Sequence, residues 1–169
     1  NMNALLGRVK LASLGFDVAH LNLHKTFTTP HGGGGPGAGP VCSNDLLLPY
    51  LPAPLVVSHG AAGNRTFSMT APERSIGKMC GFHGNFGVLV RAYAYIRSMG
   101  NTGLPQVSAN AVLNANYLLE KLRDTYHLPY DRRCMHEVVL SARNQKAMGV
   151  KGLDIAKRLL DYGFHAPTM

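Results

Sequence analysis

Residues 17–31 read Asp-Val-Ala-His-Leu-Asn-Leu-His-Lys-Thr-Phe-Thr-Thr-Pro-His, and residues 32–40 read Gly-Gly-Gly-Gly-Pro-Gly-Ala-Gly-Pro. The alternation of apolar and polar residues from Val18 to His24 predicts a β-strand, because successive strand side chains point to opposite faces. Lys25 then stands at the predicted end of this strand, directly before a loop with almost no side chains, which we call the glycine loop (residues 32–40). An amine, imidazoles and bare backbone in one segment are what an enzyme needs to hold an aldehyde cofactor.

Lys25 is the candidate nucleophile of this segment. A lysine amine attacks a carbonyl only when it is neutral, a state that partial burial and nearby cations favour. The imidazoles at positions 20, 24 and 31 could supply such surroundings. The alternative is an ordinary lysine that extends from a strand end into water, and spacing alone favours it because such lysines are common.

The glycine loop contains a G-x-G-x-x-G string at Gly32, Gly34 and Gly37. It continues into prolines rather than a helix and lacks a Gly-Lys-Ser/Thr ending, so neither a dinucleotide fingerprint nor a P-loop is predicted. The loop is either the backbone-lined wall of an active site or a flexible linker. The flanking prolines and His31 favour the wall.

A zinc site is a further alternative for the histidines. His20, His24 and His31, with Cys42 downstream, are possible zinc ligands. The spacing of His20 and His24 suits a metal on a helix, whereas this segment alternates like a strand. Structural or cofactor-contacting histidines are therefore favoured, and no metal site is predicted.

Composition and charge restrict the class of protein. The chain has 169 residues, of which 46% are hydrophobic and 15% charged, as is typical of a globular protein. No apolar run is long enough to cross a bilayer, and the three cysteines form no Cys-x-x-Cys pair, which predicts reduced thiols in the cytoplasm. The net charge of +8 raises nucleic acid as a partner, but the basic residues are scattered and no recognition motif is present. An anionic cofactor or an acidic protein partner would use the same positive field.

The remaining pattern predicts a mixture of strands and helices. Residues 26–54 contain too many prolines for a long helix, and residues 55–58 and 65–69 predict a hairpin. We predict a largely buried helix over residues 87–99 that ends at Gly100, a second helix over 104–126, a strand over 134–141, and an amphipathic helix over 153–162 that ends at Gly163. The predicted packed face of the second helix consists of Leu104, Val107, Ala111, Ala115, Leu118 and Leu122.

The lysine segment resembles the cofactor-lysine segment of glycine decarboxylase, the pyridoxal-phosphate component of the glycine cleavage system. The resemblance extends over the whole chain and favours subunit 2 of the two-subunit form. Besides residues 20–39, it rests on residues 1–5, 48–52, 75–78, 84–93, 113–117 and 153–168. The lysine followed by a four-glycine loop is its most specific part.

The resemblance implies the roles of the site residues. Lys25 would be the catalytic residue that binds pyridoxal 5'-phosphate covalently, with His24 against the cofactor and Asn22 as a weaker contact. The active-site loop would consist of His31, Gly32, Gly33, Gly34 and Gly35. The implied fold is α/β of the aspartate-aminotransferase type (fold type I). Residues 1–84 would be the C-terminal part of the large domain, and residues 85–169 a linking helix with an incomplete small C-terminal α/β domain.

The implied activity is decarboxylation of glycine with transfer of the aminomethyl group to the lipoyl arm of the H protein. The implied partners are glycine, the lipoylated H protein and subunit 1 in a heterotetramer, with neither nucleic acid nor membrane. Another fold-type-I decarboxylase or transaminase and a non-catalytic structural subunit are the alternatives. The aspartate that pairs with the pyridine nitrogen in this family would precede Asn1, so we expect an internal fragment that is inactive by itself.

Overall fold

The computed structural model describes residues 1–35 and 37–166 and has a mixed α/β architecture. In chain order the elements are a 3₁₀ helix (Leu11–Leu14), β1 (Val18–His20), α1 (Leu23–Thr26), β2 (Val41–Ser43), a second 3₁₀ helix (Asp45–Tyr50), β3 (Leu55–His59), β4 (Thr66–Thr70), α2 (Phe86–Leu122), α3 (Arg143–Lys146) and α4 (Gly152–Asp161). The chain divides into two compact units, Asn1–Leu104 and Pro105–Met169. The predicted boundary between residues 84 and 85 stays a prediction.

The strands form two small antiparallel sheets in the first unit. In one sheet β1 pairs with β2, so that Val18 lies opposite Ser43 and His20 opposite Val41. In the other, β3 and β4 form the predicted hairpin, with Leu55 opposite Thr70. The hairpin and the mixed α/β class are confirmed, while the aspartate-aminotransferase-type arrangement stays a prediction.

The predicted strand over residues 18–24 is wrong in its second half. The strand ends at His20, and α1 begins at Leu23, so Lys25 lies on a helical turn and not at a strand end. Leu23 and Phe27 are 4% and 5% exposed, and the Phe27 N–H donates to the Leu23 carbonyl over 2.9 Å. Burial of two residues four positions apart on one side requires a helical turn, which outweighs the short alternation.

The core of the first unit lies directly beneath α1. It contains Leu6, Leu23, Phe27, Val88 and Ala92, with Met2, Ala38, Tyr95 and Leu104 packed against it. The Phe27 and Tyr95 rings meet edge to face with their centroids 6.5 Å apart. The start of α2 therefore fixes the position of the turn that carries Lys25.

Helix α2 is broken at Gly100, whose φ of 60° and ψ of −169° are not helical. The predicted end of a first helix at Gly100 is confirmed, and the segment after it ends at Leu122, short of the predicted 126. The predicted burial of the first segment is wrong, since Val90, Tyr93 and Ile96 are 47%, 65% and 38% exposed. Its apolar residues surround the helix, but the described part of the first unit covers mainly the side with Val88 and Ala92.

The second unit departs from prediction at one strand and one helix face. Ala115 is buried as predicted, but Leu118 is 48% exposed and Leu119 is buried instead. Residues 134–141 form no strand: in the described part of this unit, their one backbone β-bridge joins Ser141 to His127. A β-propensity pattern without a neighbouring strand leaves the backbone without a ladder.

Helix α4 confirms the prediction for residues 153–162 to within one residue at each end. Asp154 accepts the Lys151 N–H over 2.8 Å at its start, and Gly163 follows its end with φ of 78°. Of the helices in the described ranges, none is both long and apolar enough to span a membrane.

Candidate active site around Lys25

Helix α1 presents Lys25 to solvent while its neighbours anchor the turn in the core. Leu23 and Thr26 are buried on either side of the exposed Lys25. The Thr26 hydroxyl accepts the Met2 N–H over 2.9 Å, and the Lys25 N–H donates to the Asn22 carbonyl over 3.3 Å. The lysine backbone is therefore fixed at the surface of a packed core.

The end of the glycine loop runs antiparallel to the segment before Lys25. Leu21 N–H donates to the Pro40 carbonyl over 3.0 Å, and Leu23 N–H donates to the Ala38 carbonyl over 3.3 Å. These bonds extend the pairing of β1 with β2. A Cβ at Gly39 would collide with the His20 ring and would lie 2.9 Å from the Leu21 carbonyl oxygen, so only glycine permits this approach.

His24 lies between the two ends of the glycine loop. Its ring meets that of His31 edge-on, with the centroids 4.5 Å apart and an interplanar angle of 67°. A Cβ at Gly37 would lie 3.7 Å from His24 Nδ1, so the Gly37 backbone passes beside the imidazole. The Asn85 side chain holds that backbone by donating to the Gly37 carbonyl over 2.9 Å.

His31 holds the first turn of the glycine loop. The Gly34 N–H donates to His31 Nδ1 over 3.2 Å, and the Gly34 and Gly35 N–H groups donate to the His31 carbonyl over 3.3 and 3.1 Å. Gly34 has a φ of 101°, a conformation that L side chains rarely adopt. The structure thus brings together Lys25, His24, His31 and the loop backbone, as far as residues 32–35 and 37–40 are described.

Three polar atoms that flank Lys25 are shielded from solvent and have no hydrogen-bond partner within the described ranges 1–35 and 37–166: Asn22 Oδ1, His24 Nδ1 and Thr29 Oγ1. Burial of a polar atom without a partner costs free energy, so folded proteins rarely leave several of them together. Asn22 Oδ1 can only accept a hydrogen bond, whereas the Thr29 hydroxyl can donate or accept. Together with an exposed amine and open glycine backbone, these atoms fit a polar ligand that carries both donors and acceptors.

The surroundings of His24 lower its pKa below the ordinary value of 6.5. Burial is the main cause, followed by the positive charges that His31 and Lys25 can carry. The imidazole is therefore neutral at pH 7, a state that suits contact with an aromatic ring better than a charged imidazolium does.

The sequence interpretation missed Thr29, Asn85 and Arg91. Arg91 Nη2 donates to the Thr28 carbonyl over 3.3 Å and so supports the chain just after Lys25. Asn85 and Arg91 lie more than 45 positions from their acceptors, Gly37 and Thr28, so no local spacing could indicate these contacts. In the described part of the chain, no three or more His, Cys, Asp or Glu side chains are grouped so as to hold a metal ion.

Known proteins match this chain over its whole length. The family described as Glycine dehydrogenase, C-terminal domain, matches residues 107–169. A protein of Chlorobium chlorochromatii named probable glycine dehydrogenase (decarboxylating) subunit 2 is 63% identical over 171 residues, which cover 100% of this chain and 35% of the relative. Proteins of the same name from Bacillus licheniformis and Bacillus velezensis are 58% and 57% identical, with 100% of this chain and 34% of each relative covered.

The chain thus spans about a third of the length of the curated relatives that it matches. Identity of more than half of the residues over the whole of this chain reflects common ancestry. Over the region that it spans, the chain is homologous to proteins named probable glycine dehydrogenase (decarboxylating) subunit 2.

Proposed function

We propose that this chain carries the cofactor-lysine region of a glycine dehydrogenase (decarboxylating) of the two-subunit type, with Lys25 as the residue that binds pyridoxal phosphate. The observation that carries the proposal is the exposed Lys25 amine flanked by three shielded polar atoms without partners in the described part of the chain. The 63% identity to a protein of that name supports the same assignment.

The residues around Lys25 have complementary roles in this proposal. Lys25 Nζ would hold the cofactor through its aldehyde carbon, with loss of water, and the neutral His24 imidazole would be the contact for its ring. Asn22 Oδ1 and the Thr29 hydroxyl are available for polar contacts with the cofactor or glycine. Bound there, the cofactor supplies the electron sink that makes loss of CO₂ from glycine feasible.

The protein groups then manage protons and water. The packed turn of α1 would hold a free Lys25 Nζ at the reacting centre, where the amine could accept a proton. The glycine loop brings backbone rather than bulky side chains to this centre, so it can exclude water without filling the space that the substrate needs.

We extend the proposal to the fold, the partners and the location. The chain would contribute the C-terminal part of the large domain and part of the small domain of a fold-type-I enzyme. Its partners would be subunit 1, glycine and the lipoylated H protein, which accepts the aminomethyl group. The name subunit 2 of the relatives supports a partner subunit. The net charge of +8 supports an acidic partner protein. The free thiols of Cys42, Cys80 and Cys134 are consistent with the cytoplasm.

Because the relatives are much longer than this chain, we assign the activity to the full-length protein and not to these 169 residues alone. Another fold-type-I decarboxylase or transaminase would use Lys25 in the same way and differ in substrate. A non-catalytic structural subunit would have no use for an exposed amine beside unpartnered polar atoms.

Reductive trapping tests the proposal. The full-length protein is incubated with pyridoxal phosphate, reduced with borohydride and digested, and the labelled peptide is identified by mass spectrometry. We expect a visible absorption band before reduction and the label on the peptide that contains Lys25. Lys25→Ala should abolish both, whereas Lys10→Ala, at another exposed lysine of the first unit, should change neither.

A label on another lysine, or no band in a folded protein, would refute the role of Lys25. A labelled Lys25 with no release of CO₂ from glycine in the presence of the partner proteins would support a different substrate.

A further inference from the structure

The first turn of the glycine loop receives no support from packing. Among residues 1–35 and 37–166, and apart from the chain neighbours, nothing lies within 4 Å of the position that a Cβ would take at Gly33 or Gly34. Gly33 and Gly34 also have φ values of 65° and 101°, which only glycine adopts at low cost. A turn without side chains and without neighbours must be held by hydrogen bonds, because glycine loses more conformational entropy on ordering than any other residue.

His31 supplies these hydrogen bonds. Its carbonyl accepts the N–H groups of Gly34 and Gly35, and its side-chain Nδ1 accepts the Gly34 N–H as well. The backbone bonds would remain with any residue at position 31, whereas the bond to Nδ1 depends on the side chain. His31 is exposed, so its side chain is not required by the core.

The same side chain connects the loop to the neighbour of Lys25. The His31 ring meets the His24 ring at 4.5 Å, and His24 also lies beside the Gly37 backbone at the other end of the described loop. One imidazole therefore contacts both the glycine turn and the residue that precedes the lysine in the chain.

We propose that His31 is a positioning residue whose Nδ1 accepts the Gly34 N–H and so holds the glycine loop folded against His24, beside Lys25. The consequence for catalysis rests on the proposed function of Lys25. The positioning itself is a property of the loop and can be measured without cofactor or substrate.

The His31 imidazole makes two contacts that can be tested separately: Nδ1 accepts the Gly34 N–H, and the ring meets the His24 ring. Nδ1 accepts a hydrogen bond only when it carries no proton, so the ring proton of neutral His31 must reside on Nε2. An asparagine at this position offers Oδ1 close to where Nδ1 lies, as an N-cap asparagine does toward the N–H three residues on, but has no ring. A phenylalanine keeps a ring and loses the acceptor. The two variants therefore test the acceptor and the ring separately.

Hydrogen exchange of the Gly34 amide is the direct test. Exchange is measured at single-residue resolution in the intact full-length protein without cofactor, for the wild type, His31→Ala, His31→Asn and His31→Phe. The Gly34 N–H is shared between His31 Nδ1 and the His31 carbonyl, and the carbonyl remains in every variant, so we expect an effect at the low end for one neutral hydrogen bond. Exchange should be about two- to threefold faster in the alanine and phenylalanine variants and close to wild type in the asparagine variant. His83→Ala, at an exposed histidine of the same unit, serves as the matched control and should not change the rate.

A second readout measures the effect on the site. The fraction of Lys25 labelled by pyridoxal phosphate and borohydride should fall in His31→Ala and His31→Phe and be restored in His31→Asn. A residue needed only for its ring or its bulk would give the opposite order, with rescue by phenylalanine, and would overturn the proposal.

Unchanged Gly34 exchange in His31→Ala would also overturn it. If Lys25 is not labelled in the wild type but exchange accelerates as expected, the proposed function fails and the positioning role stands. If Lys25 is labelled normally and exchange is the same in all variants, the positioning role fails and the proposed function stands.

Discussion

Asn22 and Asn116 have the same side chain but differ in how its polar atoms are hydrogen-bonded. Asn116 Nδ2 donates to the carbonyls of Val112 and Cys134, each over 2.8 Å, and its Oδ1 accepts the Cys134 N–H over 3.1 Å. Asn22 Oδ1 is shielded from solvent and has no partner in the ranges 1–35 and 37–166. The Asn116 side chain thus hydrogen-bonds the backbone of Cys134, which has no strand partner in the described chain. Both polar atoms of this side chain are used within the protein.

The difference separates polar residues that build the fold from those that await a ligand. A folded protein normally satisfies most of its shielded polar atoms, and other described residues, Asn44 and Gln145, also have a shielded oxygen without a partner. The grouping of three such atoms around Lys25 is therefore what supports the proposed ligand. Asn22, His24 and Thr29 form such a group around Lys25. Asn116, in the other compact unit, shows how completely the same amide is satisfied where its role is structural.

The largest effect that tests this comparison is at Lys25. Replacement by alanine or arginine removes the amine that we propose to bind the cofactor. We expect glycine-dependent release of CO₂ by the full-length protein to fall by at least ~10³-fold, as when a group that acts directly on the reacting atoms is lost. Thermal unfolding without cofactor should be unchanged, because Lys25 is exposed. Activity close to wild type in Lys25→Arg would contradict the assignment.

The next largest effect is on stability and belongs to Asn116. Asn116→Ala leaves the Cys134 N–H and carbonyl without their side-chain partner, whereas the Val112 carbonyl keeps its backbone hydrogen bond within α2. The free energy of unfolding should fall by about 2 kcal/mol. Urea titration followed by circular dichroism measures this change. Labelling of Lys25 in the folded fraction should remain normal, and a loss of labelling without a loss of stability would show that the two asparagines have been assigned the wrong way round.

Asn22→Ala should give the reverse result with a smaller change. Its Oδ1 has no partner to lose in the described chain, so stability without cofactor should change by less than about 0.5 kcal/mol. The dissociation constant for pyridoxal phosphate should rise roughly tenfold if the ligand normally satisfies this atom, since a hydrogen bond contributes about 0.5–1.5 kcal/mol. Fluorescence titration measures the affinity, with Asn116→Ala as the control. An Asn22→Ala variant as unstable as Asn116→Ala would remove the contrast.

The smallest effect is a pH dependence that originates at His24. Its pKa in the folded protein is lowered, above all by burial, so the unfolded chain binds a proton at this residue more readily than the folded chain. Stability should therefore be independent of His24 above pH 6.5 and decrease as the pH falls below 6.5 toward the folded pKa. Unfolding midpoints between pH 5 and pH 8 should show a reduced slope in His24→Gln and an unchanged slope in His83→Gln.

Local sequence signals were sufficient for some elements and misleading for others. Three elements have signals within a few residues. Runs of β-branched residues indicate the hairpin of β3 and β4, a glycine indicates the break at Gly100, and an amphipathic period indicates helix α4. At Leu23 the alternation is compatible with a strand, but contacts with Leu6 and Val88 require a helical turn. The segment from 134 to 141 has the composition of a strand, but within the described residues its backbone makes only the bridge from Ser141 to His127.

The candidate site divides in the same way. Lys25, His24, Asn22 and the glycine loop are consecutive or nearly so, and a specific segment identifies them. Asn85 and Arg91 join the site through α2 and the residue before it, and the bonds that they make depend on the packing of that helix against α1. Only the folded chain brings such residues together.

The close approach at Gly39 has a consequence for the evolution of the segment. A side chain at this position would meet the His20 ring, and a change of residue 20 could relieve that collision. It would not relieve the contact with the Leu21 carbonyl, because that oxygen belongs to backbone fixed by the Leu21–Pro40 hydrogen bond. No single compensating substitution at position 20 therefore opens position 39 to another amino acid, and every mutational path through this loop must keep its glycine.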